Sequence, residues 1–136
     1  MACAAELRCR EAETAHRRVR EVNALLRREL SGLELPGGKR SFCTVPEKLA
    51  SPWILHLMLP GLETGVAVRM LSEAGIMVAA GSACSSESAE PSPALLALGY
   101  RRNEAWSGLR ISLGPDTGAE EAEKLIEVLR NVLKNW

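Results

Sequence analysis

The stretch "LRISLG", residues 109–114, alternates between apolar and polar side chains. In an extended chain Leu109, Ile111 and Leu113 point to one side, whereas Arg110 and Ser112 point to the other. This alternation is typical of a strand with one face on a core and one face free. We therefore predict a strand whose Arg110 projects away from the core, where a ligand or another domain can bind. The alternative is an ordinary surface arginine.

Helical patterns precede and follow this strand. Residues 117–136 predict a helix with a capping box formed by Thr117 and Glu120. Residues 3–30 predict a long first helix, ended by Ser31 and Gly32. Its apolar residues recur at steps of three and four: Ala12, Ala15, Val19, Val22, Leu26 and Leu30.

The middle of the chain predicts shorter elements. Residues 41–45, 53–59 and 76–80 are apolar runs that favour strands. Residues 63–75 favour a helix, with Val66, Met70 and Leu71 on its apolar side and Gly75 just after its end. Ser92 can cap a short helix that begins at Pro93. Together these elements predict an α+β domain, in which a small, mostly antiparallel sheet has helices packed on one face.

The composition indicates a soluble globular protein. Of its 136 residues, 46% are hydrophobic and 25% are charged, and 17 basic residues balance 17 acidic ones. This balance gives no reason to expect nucleic acid or a membrane as partner. The start of the chain carries no secretory signal pattern, so we expect a cytoplasmic protein. The four cysteines show no spacing typical of a zinc site, so we expect no metal.

Cys84 lies in "AAGSACSSESAEPSP", residues 79–93, among small polar residues that favour an exposed loop. The neighbouring Glu87 and Glu90 disfavour a thiolate, and no histidine is adjacent in sequence. His56, alone within an apolar strand, is interpreted as a satisfied interior or half-buried side chain rather than a catalyst. A self-contained Cys-His-Asp hydrolase therefore has little support, and any activation of Cys84 must come from elsewhere.

Residues 75–100, then "WSGLRISLG" and the last helical segment, resemble the carboxyl-terminal small domain of the cysteine desulfurases. These are pyridoxal-phosphate enzymes of the class V aminotransferase family. The Gly-Ser-Ala-Cys-Ser-Ser core, the Glu-Pro-Ser that ends the loop and the Leu-Arg-Ile-Ser strand occur in the family's order and spacing. The resemblance implies the small-domain fold of fold-type I pyridoxal-phosphate enzymes.

The resemblance also implies a function. In such enzymes L-cysteine is converted to L-alanine with pyridoxal phosphate, and the loop cysteine, here Cys84, takes up the sulfur as a persulfide. The matching arginine, here Arg110, binds the substrate carboxylate. The loop at residues 81–91 has the longer form, associated with delivery of sulfur to an iron-sulfur scaffold or a tRNA-thiolation partner.

Two departures from the family limit this expectation. The chain has Ser107 and Gly108 where the family usually has two serines. It also lacks the family's Ser-x-His-Lys context and the aspartate and histidine contexts of the cofactor site, so we expect no cofactor-binding residues in this chain. Residues 1–30 then correspond to a helix at the junction to a missing large domain, and residues 31–136 to the small domain.

Three hypotheses remain. The chain is the small domain of a cysteine desulfurase that needs a pyridoxal-phosphate-binding large domain or chain, a homodimer partner and a sulfur acceptor protein. Alternatively, it is a stand-alone sulfur-relay or protein-binding module, in which Cys84 accepts a persulfide from another protein. Thirdly, it is a structural remnant whose exposed face a homodimer partner covers; the presence of both Cys84 and Arg110 disfavours this.

Overall fold

A computed structural model describes residues 2–81 and 91–136, with side chains from residue 12 onward. Its helices are α1 (Ala2–Leu30), α2 (Thr64–Glu73), α3 (Pro93–Ala97) and α4 (Ala119–Lys134). Its strands are β1 (Glu34–Leu35), β2 (Lys39–Arg40), β3 (Phe42–Cys43), β4 (Ile54–Met58), β5 (Ala79–Ala80) and β6 (Gly108–Ser112). Two 3-10 turns occupy residues 36–38 and 47–49.

The main sheet has four antiparallel strands in the order β3-β4-β6-β5, and β1 and β2 form a separate hairpin. The two longest strands, β4 and β6, are neighbours at its centre. Their register places Leu55 opposite Ile111 and Leu57 opposite Leu109. All four side chains are buried, and they form the sheet's contribution to the hydrophobic core.

Three helices cover this apolar face of the sheet. From α1 the core receives Val22, Leu26 and Leu30, and from α2 it receives Leu71. The apolar stripe of α4 completes it with Ala122, Leu125, Ile126, Leu129 and Leu133. Because the first helix supplies fully buried side chains, it packs in the same core as the sheet.

A buried polar cluster fixes α1 against the segment before β4. The amide nitrogen Nδ2 of Asn23, which is 3% exposed, donates to the carbonyl of Pro52 at 2.9 Å. Its Oδ1 accepts from Arg27 Nε at 2.6 Å, and Arg27 Nη1 donates to the carbonyl of Val45 at 2.8 Å. Each buried polar atom therefore has a partner, which makes the position of the helix specific.

The opposite side of the sheet, called here the open face, carries Ile54, His56 and Met58 from β4 and Gly108, Arg110 and Ser112 from β6. The short helix α3 lies at one end of it, where Leu95 packs with Met58 and Ala105 in a second small core. The prediction of an α+β domain with a mostly antiparallel sheet is confirmed.

Details of two predicted helices need correction. The cap of α4 is Gly118, one residue after the predicted Thr117, and its amide donates to Glu121 Oε2 at 3.0 Å. Thr117 instead accepts the amide of Gly114 at 2.8 Å, which closes the preceding turn. Val66 is 46% exposed rather than part of the apolar side of α2, because that helix presents Ala67 and Leu71 to the core.

The absent side chain of Gly108 makes room for an imidazole on the open face. A Cβ at this position would lie 2.7 Å from His56 Cε1, 2.9 Å from His56 Nε2 and 3.0 Å from Leu95 Cδ1. Its backbone has no positive φ, so the reason for glycine here is space rather than conformation.

We expect Gly108→Ala to destabilise the domain by about 1–3 kcal/mol, because the added methyl group overpacks against the imidazole. In a His56→Ala background the same substitution should cost much less, which a double-mutant cycle of urea unfolding measures. Gly65→Ala is the matched control, since nothing lies within 4 Å of a Cβ at that helical position. Equal costs of Gly108→Ala in both backgrounds would contradict the contact.

Candidate functional site

Four side chains form a row across the open face, three from the strands β4, β5 and β6 and one from the residue that follows β3. Arg110 of β6 lies opposite His56 of β4 and, on its other side, opposite Ala79 of β5. Thr44, directly after β3, donates its amide to the carbonyl of His56 at 3.0 Å. The row therefore reads Thr44, His56, Arg110 and Ala79 in the order of the strands.

Arg110 is half-buried at the centre of this row. As predicted from the alternation around it, it projects away from the core formed by Leu109 and Ile111. Within residues 12–81 and 91–136, no carboxylate forms an ion pair with it. A guanidinium in such a position can form two parallel hydrogen bonds with a carboxylate from outside.

His56 is the half-buried neighbour of Arg110. Its Nδ1 lies 2.6 Å from Thr44 Oγ1, so the hydroxyl fixes the orientation of the ring. Burial lowers the pKa of His56 below its usual value, and the positive charge of Arg110 lowers it further. The imidazole is therefore neutral at neutral pH.

Hydrogen bonds also fix the rim of the open face. Thr64 Oγ1, which is buried, lies 2.8 Å from the carbonyl of Trp106 and 3.1 Å from that of Gly108. The rings of Phe42 and Tyr100 stack with their centroids 6.4 Å apart. The start of β6, which carries Arg110, and the edge strand β3 are thus held in place by contacts beyond their own ladder.

The segment that carries Cys84 begins after Ala79 and Ala80 of β5 and ends near Ala105, which precedes β6. Cys84 itself lies outside the described residues, which stop at Gly81 and resume at Pro91. Gly81 directly follows β5 and has a φ of 65°. On the other side Pro91 is buried, and the amide of Ser92 donates to the carbonyl of Ala105 at 3.4 Å. Both ends are therefore attached to the structure that holds Arg110.

A lysine amine is the group to which pyridoxal phosphate would attach covalently. The four lysines of the chain are Lys39 in β2, Lys48 in a 3-10 turn, and Lys124 and Lys134 in α4. None of them lies on the strands of the main sheet.

Within residues 12–81 and 91–136, histidine, cysteine, aspartate and glutamate side chains form no cluster that would hold a metal ion. No helix in that part of the chain combines the length and apolar character needed to cross a membrane.

His56 was predicted as an interior or half-buried side chain, and it is half-buried; its position next to Arg110 was not predicted. The relevant signal is the pairing register of two strands more than 40 residues apart, which no local pattern reveals. A glycine within a strand, such as Gly108, indicates that another group packs closely against that position, but the sequence does not identify this group as His56.

Comparisons with known proteins agree with this architecture. Residues 4–125 match the family model described as aminotransferase class-V. Cysteine desulfurase IscS of Clostridium botulinum strain Hall is 34% identical over 99 residues, which cover 66% of this chain and 25% of that protein. Cysteine desulfurase IscS 1 of Archaeoglobus fulgidus is 40% identical over 67 residues, which cover 49% of this chain and 18% of that protein.

Solved structures show the same fold. A NifS-like protein superposes with a TM-score of 0.79 at 21% identity, covering 99% of this chain and 32% of that one. An apo cysteine desulfurase from Thermococcus onnurineus gives a TM-score of 0.63 at 21% identity, covering 88% of this chain and 26% of that one. The chain thus spans about a third or less of the proteins it matches. Because the family model matches most of its length, the chain belongs to the class-V aminotransferase family.

Proposed function

We propose that this chain is the small domain of a cysteine desulfurase, in which Arg110 binds the carboxylate of L-cysteine and Cys84 receives its sulfur. The observation that carries the proposal is the position of Arg110 on the open face, directly beside β5, the strand after which the segment that contains Cys84 begins. The family match and the similarity to cysteine desulfurases support the same assignment.

Arg110 has the properties of a carboxylate-binding residue. It is half-buried, it lacks an ion-pair partner among the described residues, and its strand is held on both sides by β4 and β5. A rigid strand keeps a guanidinium in one place, so less entropy is lost when a carboxylate binds. The adjacent His56 is neutral and does not compete as a second positive charge.

The chain can bring Cys84 to a substrate held by Arg110. Ala79, at the start of β5, is the direct neighbour of Arg110 in the sheet. From Gly81 to Cys84 there are three residues, which reach roughly 10 Å when extended. The thiol of Cys84 is therefore within range of a small amino acid bound at the centre of the open face.

In the proposed reaction, the Cys84 thiolate attacks the sulfur of L-cysteine and forms an S–S bond. The C–S bond of the substrate breaks, its electron pair stays on carbon, and a proton taken up there completes L-alanine. The net change is that L-cysteine and a protein thiol give L-alanine and a protein persulfide. When bound, pyridoxal phosphate supplies the electron sink for the bond cleavage.

Other parts of the proposed enzyme come from outside these residues. The cofactor-binding lysine is expected on a large domain or chain of the kind that fills the rest of the longer relatives. We further propose a homodimer that works in the cytoplasm and passes the persulfide to an acceptor for iron-sulfur cluster assembly or tRNA thiolation.

Replacement of Arg110 tests the carboxylate assignment. In the complete enzyme, with its cofactor-binding part present, we expect Arg110→Ala to lower kcat/KM for L-cysteine about 100-fold, because two charge-assisted hydrogen bonds are lost. Alanine release is the measurement. Arg69→Ala, on the exposed surface of α2, is the matched control and should stay within about twofold. Equal activity of the two variants would refute the role of Arg110.

Replacement of single cysteines tests the sulfur acceptor. After reaction with L-cysteine, mass spectrometry of the complete enzyme should show one added sulfur atom on Cys84, and Cys84→Ser should remove it. Cys43→Ser should keep the persulfide, since Cys43 packs against the core on the helix side, with its Sγ 3.2 Å from Ser31 Oγ. Persulfide on Cys84→Ser protein would exclude this residue as the acceptor.

The sulfur-relay alternative makes a different prediction for the 136-residue chain by itself. A relay module would gain the persulfide on Cys84 from a separate, complete desulfurase, without its own cofactor-binding part. The desulfurase small domain would instead form alanine only when that part is added. The relay alternative is favoured if the separate desulfurase transfers a persulfide to Cys84 of this chain and if adding the cofactor-binding part to this chain yields no alanine from L-cysteine.

A further inference from the structure

A cavity of about 240 Å³ lies between α1 and the segment that leads into β4. The helix lines it with His16, Arg20 and Asn23, and the segment lines it with residues 47–48 and 50–52. None of these residues belongs to the row on the open face. This cavity, called here the α1 cavity, is therefore separate from the candidate functional site.

A hydrogen bond and a ring contact fix the walls of the α1 cavity. The buried Asn23 donates from Nδ2 to the carbonyl of Pro52 at 2.9 Å, which joins the helix to the segment. The imidazole of His16 contacts the indole of Trp53, with ring centroids 6.2 Å apart. The two walls are thus in place before a ligand binds, so binding loses little free energy in ordering them.

Basic side chains dominate the lining of the α1 cavity. His16 and Arg20 are four residues apart on α1 and lie on the same face of the helix, whereas Lys48 lies on the segment. Among the side chains of residues 12–81 and 91–136, no carboxylate forms an ion pair with Arg20 or Lys48. The acidic residue of the lining is Glu47. Two permanent positive charges therefore face one negative charge, and the cavity attracts anions.

An ordinary solvated surface explains this arrangement less well. Like charges repel, and on an open surface long basic side chains can spread apart into water. Here they border one partly enclosed space, in which walls of low dielectric strengthen the attraction for an anion. The guanidinium of Arg20 and the ammonium of Lys48 are donors only. The hydroxyl of Ser51 accepts the amide of Trp53 at 3.3 Å, which leaves its proton for a further acceptor.

The volume of the α1 cavity limits the size of the anion. A water molecule occupies about 30 Å³ of liquid, so the cavity has room for about eight waters. Pockets for cofactors and drug-sized ligands are larger, at about 300–1,000 Å³. A tetrahedral oxyanion such as phosphate or sulfate fits this space together with part of its hydration shell, whereas a whole nucleotide does not.

We propose that the α1 cavity binds a small tetrahedral oxyanion, with Arg20 and Lys48 as its charged donors and His16 beside them. The site goes beyond the proposed function, because it uses none of the residues assigned to L-cysteine or to sulfur. The anion bridges α1 and the segment before β4. Since a ligand that binds only the folded state stabilises that state, the packing of the first helix becomes more stable as the anion concentration rises.

Nuclear magnetic resonance of the ¹⁵N-histidine-labelled chain measures this binding directly. The chain has two histidines: His16 lines the α1 cavity, whereas His56 lies on the open face. Sodium phosphate, added at fixed pH and ionic strength, should shift the ring signals of His16 to saturation and leave those of His56 unchanged. The double variant Arg20→Gln with Lys48→Gln should lose the shift. Arg17→Gln, which removes an exposed arginine of α1 outside the cavity, is the matched control and should keep it.

Thermal unfolding of the same proteins provides the second measurement. Phosphate stabilises many folded proteins because it is excluded from their surfaces, so the relevant quantity is the difference between proteins. At a phosphate concentration about ten times the dissociation constant, the unfolding midpoint of the wild type should rise by several degrees more than that of the double variant. Arg17→Gln should match the wild type. Sulfate should have the same effect, and sodium chloride at equal ionic strength should not.

Three results would overturn the proposal. The first is a His16 signal that shifts without saturation, or that shifts equally in the folded double variant, since either indicates general screening by salt. The second is an equal rise of the unfolding midpoint in the wild type and the double variant. The third is a saturable shift of His56 with none of His16, which would place the bound phosphate on the open face instead.

Discussion

The antiparallel pairing of β4 with β6 is the constraint on which the rest of the domain depends. One register places Leu55 opposite Ile111 and Leu57 opposite Leu109, which gives three helices a continuous apolar surface. Since side chains alternate along a strand, the same register places His56 opposite Arg110 on the other side. A shift by one residue would bury the guanidinium among leucines and expose the core. Stability and the arrangement of the site therefore follow from a single alignment.

The sequence predicts one side of this arrangement better than the other. The alternation at residues 109–114 and the long stripe of α4 depend only on local periodicity, so the buried side chains were predictable. The cross-strand neighbour of Arg110 was not predictable, because it depends on which residue of a strand distant in sequence lies opposite Arg110. The exposure of Val66 and the cap at Gly118 were missed for a similar reason, since tertiary packing selected a helix face and a starting residue among near-equivalent local choices.

In the proposed chemistry, the residues that bind the substrate lie on strands, whereas the thiol that accepts sulfur lies on a separate segment. Arg110 is held on β6 between β4 and β5, and the hydrogen bonds of Thr64 fix the start of β6, so the carboxylate proposed to bind there would have a defined position. Cys84 belongs to a segment of small polar residues attached at Gly81 and Pro91. In the proposed reaction the thiol accepts sulfur from the substrate and later donates it to an acceptor. Because the thiol and the substrate-binding residues belong to separate parts of the chain, the substrate-binding residues can keep their positions in both steps.

The contact between the His56 ring and Gly108 has an evolutionary consequence. Any side chain at position 108 needs the space that the imidazole now occupies, so the two positions cannot vary independently. Lineages that carry a serine or a larger residue at 108 should have a shorter or differently directed side chain at 56, and glycine at 108 should accompany a ring. Covariation of these two columns would therefore mark the branch of the family in which the imidazole came to occupy this space.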